Sequence, residues 1–238
     1  MNLVIDHGNT TAKVGIFEGP QLTVHQVLPN TEELHAFLTH STFHHVIVSS
    51  VRYPAQDILA WCNNPGQKLV MSPALRLPIA NRYKTPQTLG SDRLAAAAGA
   101  ATLFPGKACL VIDMGTCVNY EFVNERGEYE GGMISPGLQM RFQAMHTFTA
   151  RLPLIDAVGD VPLTGTDTES CMRSGTINGL AAEVLGIVSR YRDDHPDLKT
   201  LLCGGDSPRF THTFAGIAEQ VPHLVLHGLN AILTANLL

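Results

Sequence analysis

The sequence predicts a mixed α/β protein built from two related lobes, residues 1–105 and 106–238. The segment Leu3 to Thr10 near the N-terminus returns as Leu110 to Thr116 close to the middle of the 238-residue chain. Each copy has three apolar residues, then Asp, one variable residue, Gly and a small polar residue. Repetition at about half the chain length is typical of a duplicated unit. The alternative is coincidence, because strand ends often carry Asp and Gly.

Both copies of the repeat are predicted to form β-hairpins. Residues alternate in character along Ala12 to Phe17 after the first copy and along Cys117 to Val123 after the second, which is the period of a strand. A P-loop or a Rossmann turn would need a helix directly after its glycines. The pattern therefore excludes both of these nucleotide-binding motifs.

The remaining elements alternate between helices and strands. Their bounds follow from apolar periodicity, from capping residues and from Pro or Gly stops. Thr31 and Ser91 are expected to cap the helices that begin with them. The predicted helices are 31–40, 54–63, 91–103, 139–149, 174–192 and 226–238, and the predicted strands after the first hairpin are 45–51, 68–71 and 200–203. Hairpins followed by such alternation, twice over, predict two lobes with mixed sheets that face each other across a cleft.

The composition excludes several classes of protein. Hydrophobic residues make up 45% and charged residues 16% of the chain, so disorder is not expected. The net charge of −5 argues against non-specific nucleic-acid binding. No apolar run reaches the roughly 18 residues of a membrane helix, and the N-terminal residues lack a signal-peptide pattern. Five cysteines without a CxxC pair fit free thiols. We therefore expect a cytoplasmic protein that binds neither nucleic acid nor membrane.

The two Asp-Gly turns have the composition of a phosphate site. Gly8 and Gly115 would let backbone N–H groups approach an anion, and Lys13 supplies a positive charge. Asp6 and Asp113 would repel a phosphate unless a cation lies between them, so they indicate Mg²⁺ or a monovalent ion. The alternative is that each Asp caps its own turn. Short neutral donors accompany the glycines, at Asn9, Thr10 and Thr116.

On these residues the sequence resembles a known family. The paired turns resemble the phosphate motifs of the actin/Hsp70/sugar-kinase superfamily, whose lobes are duplicated and ribonuclease H-like, and the chain as a whole resembles type III pantothenate kinase. The match follows the order of the family over about residues 3–205. Its segments are Asp6-x-Gly8-Asn9-Thr10-x-x-Lys13, Tyr83-x-x-Pro86-x-x-Leu89-Gly90-x-Asp92-Arg93, Asp113-x-Gly115-Thr116, Gly131-Gly132-x-Ile134-x-Pro136-Gly137 and Ser174-Gly175-Thr176.

The resemblance implies transfer of the ATP γ-phosphate to the primary hydroxyl of pantothenate, the first step of coenzyme A biosynthesis. It makes Asp92 the general base and Asp113 the ligand of an activating monovalent cation, K⁺ or NH₄⁺, and it implies a homodimer formed through the helix 174–192, with a substrate pocket closed by the partner subunit. ATP with Mg²⁺ would bind to Asp6, His7, Gly8, Asn9, Thr10, Thr11, Ala12, Lys13 and Thr116. Pantothenate would contact Tyr83, Gly90, Ser91, Asp92, Arg93 and Thr176.

Elementary chemistry bears on two of these assignments. Arg93 could pair with the neighbouring Asp92 or bind the carboxylate of pantothenate. Asp92 lies in the first turn of a predicted helix, whose dipole favours its anionic form and makes it a weak base. Because phosphoryl transfer is loose, the larger role of Asp92 would be to orient the hydroxyl.

The sequence departs from the family in places, and other functions stay open. Asn119 and Glu121 stand where family members commonly carry Thr and Asp, which leaves the ligands of the cation open. Gly204 and Gly205 lie where the superfamily usually contacts adenosine. The alternatives are another small-molecule kinase or a phosphatase of the same fold, and a transcription accessory regulator of the same family.

Overall fold

The computed structural model describes residues 1–159 and 161–237. The chain divides into two compact units. The first unit contains Met1–Lys107, Glu121–Gly131 and the C-terminal segment from His223, and the second contains Ala108–Tyr120 and Gly132–Pro222. The lobe boundary at residues 105 and 106 stays a prediction. No helix among the described residues is long and apolar enough to cross a membrane.

The first unit is built on a five-stranded mixed sheet. Its strands are β1 (Asn2–His7), β2 (Ala12–Glu18), β3 (Gln21–Leu28), β4 (His45–Ser50) and β5 (Lys68–Val70). They lie in the order β3-β2-β1-β4-β5. β2 is antiparallel to both β1 and β3, whereas β1, β4 and β5 are parallel. One face of this sheet packs in a hydrophobic core with α1 (Thr31–His40) and α2 (Ala55–Trp61).

Two helices of the first unit approach each other unusually closely. They are α3 (Ser91–Leu103) and α6 (Leu224–Ala235), and α6 also packs on β1. A Cβ atom placed on Gly228 would lie 1.8 Å from the carbonyl oxygen of Ala95, and one on Gly99 would lie 2.5 Å from that of Leu224. Only glycine fits at such backbone contacts. The two glycines therefore set the distance between α3 and α6.

A second sheet repeats the strand order of the first. Its strands are β7 (Cys109–Met114), β8 (Cys117–Val123), β9 (Glu128–Pro136), β10 (Lys199–Cys203) and β11 (Glu219–Gln220). Their order is β9-β8-β7-β10-β11, and β7, β10 and β11 are parallel. The helices of the second unit are α4 (Leu138–Phe148) and α5 (Thr168–Asp194). The two mixed sheets of matching order confirm the predicted duplicated α/β fold.

The short strand β6 (Ala80–Asn81) belongs to the first unit. It pairs in parallel with the first residues of β9, Glu128 and Tyr129. Backbone hydrogen bonds from Ala80 N to Gly127 O and from Arg82 N to Tyr129 O hold this contact. The loop that leads to α3 is thereby tied to the start of β9.

Several predicted element boundaries need correction. Asn30, not Thr31, caps α1, because its side chain accepts from the backbone N–H of Glu33. Gly90, not Ser91, holds the capping position before α3. The long helix begins at Thr168 instead of 174, because Asp167 and Ser170 form a capping box. The last helix ends at Ala235, and Leu238 lies outside the described residues.

Two further features differ from the sequence prediction. β3 was not predicted, because most of its side chains are exposed and no apolar alternation marks it. Glycines on the long helix α5 would permit another helix to pack closely against it. A Cβ on Gly175, Gly179 or Gly186 would meet no other described atom within 4 Å. The close packing within the first unit lies between α3 and α6 instead.

Candidate active site

The first Asp-Gly turn joins β1 to β2, as predicted. The N–H of Gly8 donates to the carbonyl oxygen of Thr11 over 3.0 Å and closes the turn. Asp6 lies directly opposite Lys13 in the antiparallel register, so their side chains leave the same face of the sheet. The hairpin thus presents a carboxylate and an ammonium group side by side next to the turn.

A cavity of about 290 Å³ opens at this turn. Six of the nine residues predicted to bind ATP, His7 to Ala12, line it. Residues 29–32 at the start of α1, Arg52 and Tyr53 complete the lining. Helix N-termini and guanidinium groups both favour anions. The cavity therefore has the chemistry of a phosphate site.

Arg52 is a residue of this cavity that the sequence analysis missed. Its guanidinium donates to the backbone oxygen of Asn9 over 3.1 Å. Burial lowers the pKa of His7, and the charge of Arg52 lowers it further. Arg52 follows β4, which is parallel to β1, and the carboxyl ends of parallel strands meet at one edge. That rule was the signal by which it could have been found.

Two aromatic side chains, Tyr53 and Trp61, pack against each other next to this cavity. Tyr53, which lines it, lies against Trp61 with 5.5 Å between the ring centroids. His35 also contacts Trp61, edge-on, with 5.2 Å between the ring centroids. Trp61 is the single tryptophan of the chain.

The second Asp-Gly turn joins β7 to β8 in the second unit. Gly115 N donates to the oxygen of Cys117 over 2.9 Å, and Gly137 N donates to the oxygen of Thr116 over 3.1 Å. Gly137 is the residue before α4. A Cβ on it would lie 2.3 Å from the oxygen of Gly115. The N-terminus of α4 thus lies directly against this turn, as the start of α1 lies beside the first.

Asp113, the predicted cation ligand, lies at the end of β7 against a glycine turn. Gly204 follows β10, and a Cβ on it would lie 2.5 Å from Oδ1 of Asp113 and 2.3 Å from the oxygen of Met114. Its φ of +92° is in the left-handed region that favours glycine. Asp206 N donates to the same Met114 oxygen over 2.9 Å. The Gly204 turn therefore packs on the Asp113 end of the strand, and its predicted adenosine contact stays a prediction.

Asp92, the predicted general base, lies in the first turn of α3 in the first unit. Its Oδ1 accepts the backbone N–H of Arg93 over 2.9 Å. A Cβ on Gly90 would lie 2.6 Å from this same oxygen, so glycine leaves room for the carboxylate. The hydroxyl of Ser91 lies 2.8 Å from that of Ser49 on β4, which fixes the start of α3 on the sheet.

The partner of Arg93 differs from both expectations. Its Nε donates to Oε1 of Glu121 over 2.6 Å, and its Nη2 donates to Oε2 over 2.9 Å. The sequence leaves Asp92 and the pantothenate carboxylate as the two candidate partners. Three N–H groups of the guanidinium, two on Nη1 and one on Nη2, are left by these two bonds, and a contact of Arg93 with substrate would have to use them. The signal for this pair was Glu121 itself, a charged residue inside an apolar strand.

Two tyrosines complete the surroundings of Arg93. The ring of Tyr83 lies over the guanidinium, with 5.7 Å from its centroid to Cζ, and it stacks on Tyr129 with centroids 6.1 Å apart. The Tyr129 hydroxyl donates to Oε2 of Glu121. Burial raises the pKa of Glu121, and the hydrogen bonds from Arg93 and Tyr129 oppose that shift. Arg93 stays protonated in proteins, and hydrogen bonds donated to both oxygens of Glu121 favour its ionised form.

The structure brings five of the residues predicted to bind pantothenate together. Tyr83, Gly90, Ser91, Asp92 and Arg93 form one group in the first unit, near Tyr129 and Glu121. Thr176 lies buried in α5 of the second unit, and Thr116 lies exposed on the second turn. No group of three or more His, Cys, Asp or Glu side chains within residues 1–159 and 161–237 is arranged to hold a metal ion.

The fold and these turns define a class of protein. Two mixed sheets of matching order, each with an Asp-Gly hairpin beside a helix N-terminus, are the framework of the actin-like sugar kinases. A Sinorhizobium meliloti protein described as a candidate 2-dehydro-3-deoxygalactonokinase has this fold, with a TM-score of 0.57, 15% identity and 98% of both chains covered. A Campylobacter jejuni protein described as a candidate Baf family transcriptional activator gives a TM-score of 0.65, 17% identity and 98% coverage of both chains. At these identities the likeness concerns the fold.

Sequence comparison gives the family. The profile of the type III pantothenate kinases matches residues 2–190. A Bacteroides fragilis protein named type III pantothenate kinase is 41% identical over 239 residues, which cover 99% of this chain and 98% of that protein. The chain belongs to the type III pantothenate kinase family and is a kinase.

Proposed function

We propose that the protein phosphorylates pantothenate with ATP, the first step of coenzyme A biosynthesis. One observation carries this proposal: a chain of this family places Asp92 in the first turn of α3, beside a glycine that leaves its carboxylate room. No observation favours the regulator, because the similarity to the Campylobacter jejuni protein is one of fold.

The first turn would hold the phosphates of ATP. Its backbone N–H groups, the start of α1 and the cationic Arg52 surround the cavity, and Lys13 adds a point charge from β2. Asp6 is the residue that would hold Mg²⁺. A single carboxylate fits this ion, because Mg²⁺ commonly keeps several waters and binds one or two carboxylates together with substrate phosphates. Bound Mg²⁺ would neutralise charge on the transferring phosphate.

Asp92 would accept the hydroxyl proton of pantothenate and aim its oxygen at the γ-phosphate. In a loose transition state the nucleophile need not lose its proton early. Orientation is therefore the main contribution of Asp92. We assign pantothenate contacts to Tyr83, Gly90, Ser91, Arg93 and Thr176 on the family pattern.

The test is an assay of ADP release from ATP and Mg²⁺, with and without pantothenate and with K⁺ or Na⁺ as the salt. We expect ADP only when pantothenate is present, and more with K⁺ than with Na⁺. ADP release of equal rate without pantothenate would contradict the assigned acceptor and favour another kinase or a phosphatase of this fold.

We further propose that Asp113 binds the activating monovalent cation, K⁺ or NH₄⁺. The Asp113→Ala variant should lose the K⁺ response while it keeps its fold, because the carboxylate supplies the negative charge of the site. Initial rates over a K⁺ titration measure the effect. Asp197→Ala, at an exposed aspartate of the same unit, should keep the wild-type response. Unchanged K⁺ activation in Asp113→Ala would place the ion elsewhere.

A homodimer and a cytoplasmic location complete the proposal. Large apolar side chains of the second unit are exposed, Phe148 by 85% and Leu163 by 83%. The exposed side of α5 carries Gly175, Gly179 and Gly186, against which no described atom of the chain packs. Exposed apolar side chains of this size are typical of a protein interface, and an open helix face leaves room for a partner. Sedimentation should give twice the chain mass of 25.7 kDa, and a monomer at assay concentration would contradict the dimer.

A further inference from the structure

A charged side chain that the proposed chemistry does not use lies buried beside the Gly90–Arg93 segment. Glu121 on β8 has no exposed surface. Both of its oxygens accept hydrogen bonds, Oε1 from Arg93 Nε and Oε2 from Arg93 Nη2 and the Tyr129 hydroxyl. The carboxylate is therefore fully engaged by two side chains that approach from different elements.

Stability alone does not account for such a pair. Removing two charges from water costs several kcal/mol per ion, and apolar residues of similar volume often serve a core equally well. The pair instead fixes the orientation of the Arg93 side chain. Its planar guanidinium makes two parallel hydrogen bonds to Glu121, which only one orientation of the group allows. The guanidinium of Arg93 is thus held in one place.

This fixed guanidinium borders the residues assigned to pantothenate. Arg93 directly follows Asp92, whose Oδ1 accepts the Arg93 N–H. Tyr83 lies over the guanidinium and stacks on Tyr129. Glu121 is therefore linked to Asp92 indirectly, by its contact with Arg93. It is linked to Tyr83 by its contacts with both Arg93 and Tyr129.

We propose that Glu121 is a positioning residue for phosphate transfer to pantothenate. By binding the guanidinium of Arg93, Glu121 keeps that cation away from the neighbouring Asp92 carboxylate and keeps the Tyr83 ring in place. Asp92 is then free to accept the hydroxyl of the substrate. Without Glu121, the guanidinium would lose its partner and could pair with Asp92, which would occupy the oxygens that orient the hydroxyl. The inference rests on the proposed function.

The first experiment compares Glu121→Gln with wild type in the pantothenate-dependent assay. The amide keeps the size of the side chain and removes its charge. We expect kcat/KM for pantothenate to fall about tenfold to a hundredfold, as for a displacement of reacting groups by about 1 Å, while KM for ATP is unchanged. Glu128→Gln is the control, because Glu128, at the start of β9, forms more exposed ion pairs with Arg82 and Arg126. It should keep both parameters.

The second experiment asks whether Glu121 acts through Arg93. If it does, the double variant E121Q/R93M should lose no more kcat/KM for pantothenate than Arg93→Met alone, because the same contact is removed twice. Glu121→Asp should recover part of the loss of Glu121→Gln, because it restores the charge. Losses that multiply in the double variant, or an unchanged kcat/KM in a folded Glu121→Gln, would overturn the proposal.

Folding and function can be separated in this design. Should Glu121→Gln not fold, as judged by circular dichroism, Tyr129→Phe decides the matter. It keeps the ion pair, removes one hydrogen bond, and should lower kcat/KM for pantothenate about threefold to tenfold; no change would overturn the role. If the wild-type protein releases ADP at the same rate without pantothenate, the proposed function is contradicted. If the wild-type protein requires pantothenate but the variants keep its kcat/KM, only the role of Glu121 is contradicted.

Discussion

The Asp92→Asn variant is expected to lose kcat about 10²-fold to 10⁴-fold, the range of a general-base contribution. An amide cannot accept the hydroxyl proton. Its oxygen can still accept the N–H of Arg93, as Oδ1 does in the wild type, so the first turn of α3 should be retained. Steady-state kinetics with pantothenate and ATP varied in turn give the measurement, and KM for ATP should stay close to the wild-type value.

The matched control for this variant is Asp57→Asn. Asp57 lies in the first turn of α2, so it experiences a similar helix dipole, and its side chain is exposed. Its replacement should leave kcat unchanged. A wild-type kcat in Asp92→Asn would remove Asp92 from the mechanism, and an equal loss in both variants would mean that the effect comes from the helices.

The Gly228→Ala variant is expected to lose much of its stability. A Cβ there would lie 1.8 Å from the oxygen and 2.7 Å from the carbon of the Ala95 carbonyl. These are backbone atoms of α3, so the clash is relieved only if the two helices separate. Overpacking of this kind commonly costs about 1–3 kcal/mol and occasionally more. Since a protein is stable by only about 5–15 kcal/mol, we expect a loss of about 3 kcal/mol or more.

Thermal unfolding followed by circular dichroism measures this loss. For a chain of this size about 3 kcal/mol lowers the Tm by about 10 °C. Gly205→Ala is the control, because a Cβ on Gly205 would meet nothing within 4 Å, and its Tm should stay within about 2 °C of wild type. A Gly228→Ala protein with the Tm of the control would show that the helices can move apart at little cost.

Local sequence patterns were sufficient for much of the fold. The two hairpins were predicted because alternation and a turn signal lie within a few residues of each other. The bounds of α3 agree with prediction because an apolar run rich in alanine is followed by Pro105 and Gly106. The repeated Asp-Gly turn also pointed to a duplicated fold before any contact was known. The assignment of Asp92 to catalysis stays a prediction.

Long-range partners could not be predicted in the same way. Arg93 and Glu121 are 28 residues apart, and the contact between Gly228 and Ala95 joins still more distant parts of the chain. No local pattern identifies the partner in either pair, because the partner depends on which elements become neighbours after folding. Arg52 was missed for the same reason, since it reaches the first turn only through the pairing of β1 with β4.

The position of α6 has a consequence for the synthesis of the protein. α6 is the last helix of the described chain, yet it packs on α3 and β1 of the first unit. Chains emerge from the ribosome with their N-terminal residues first. The first hundred residues therefore leave the tunnel before α6 has been made, so the strands on which α6 packs are not yet covered by that helix.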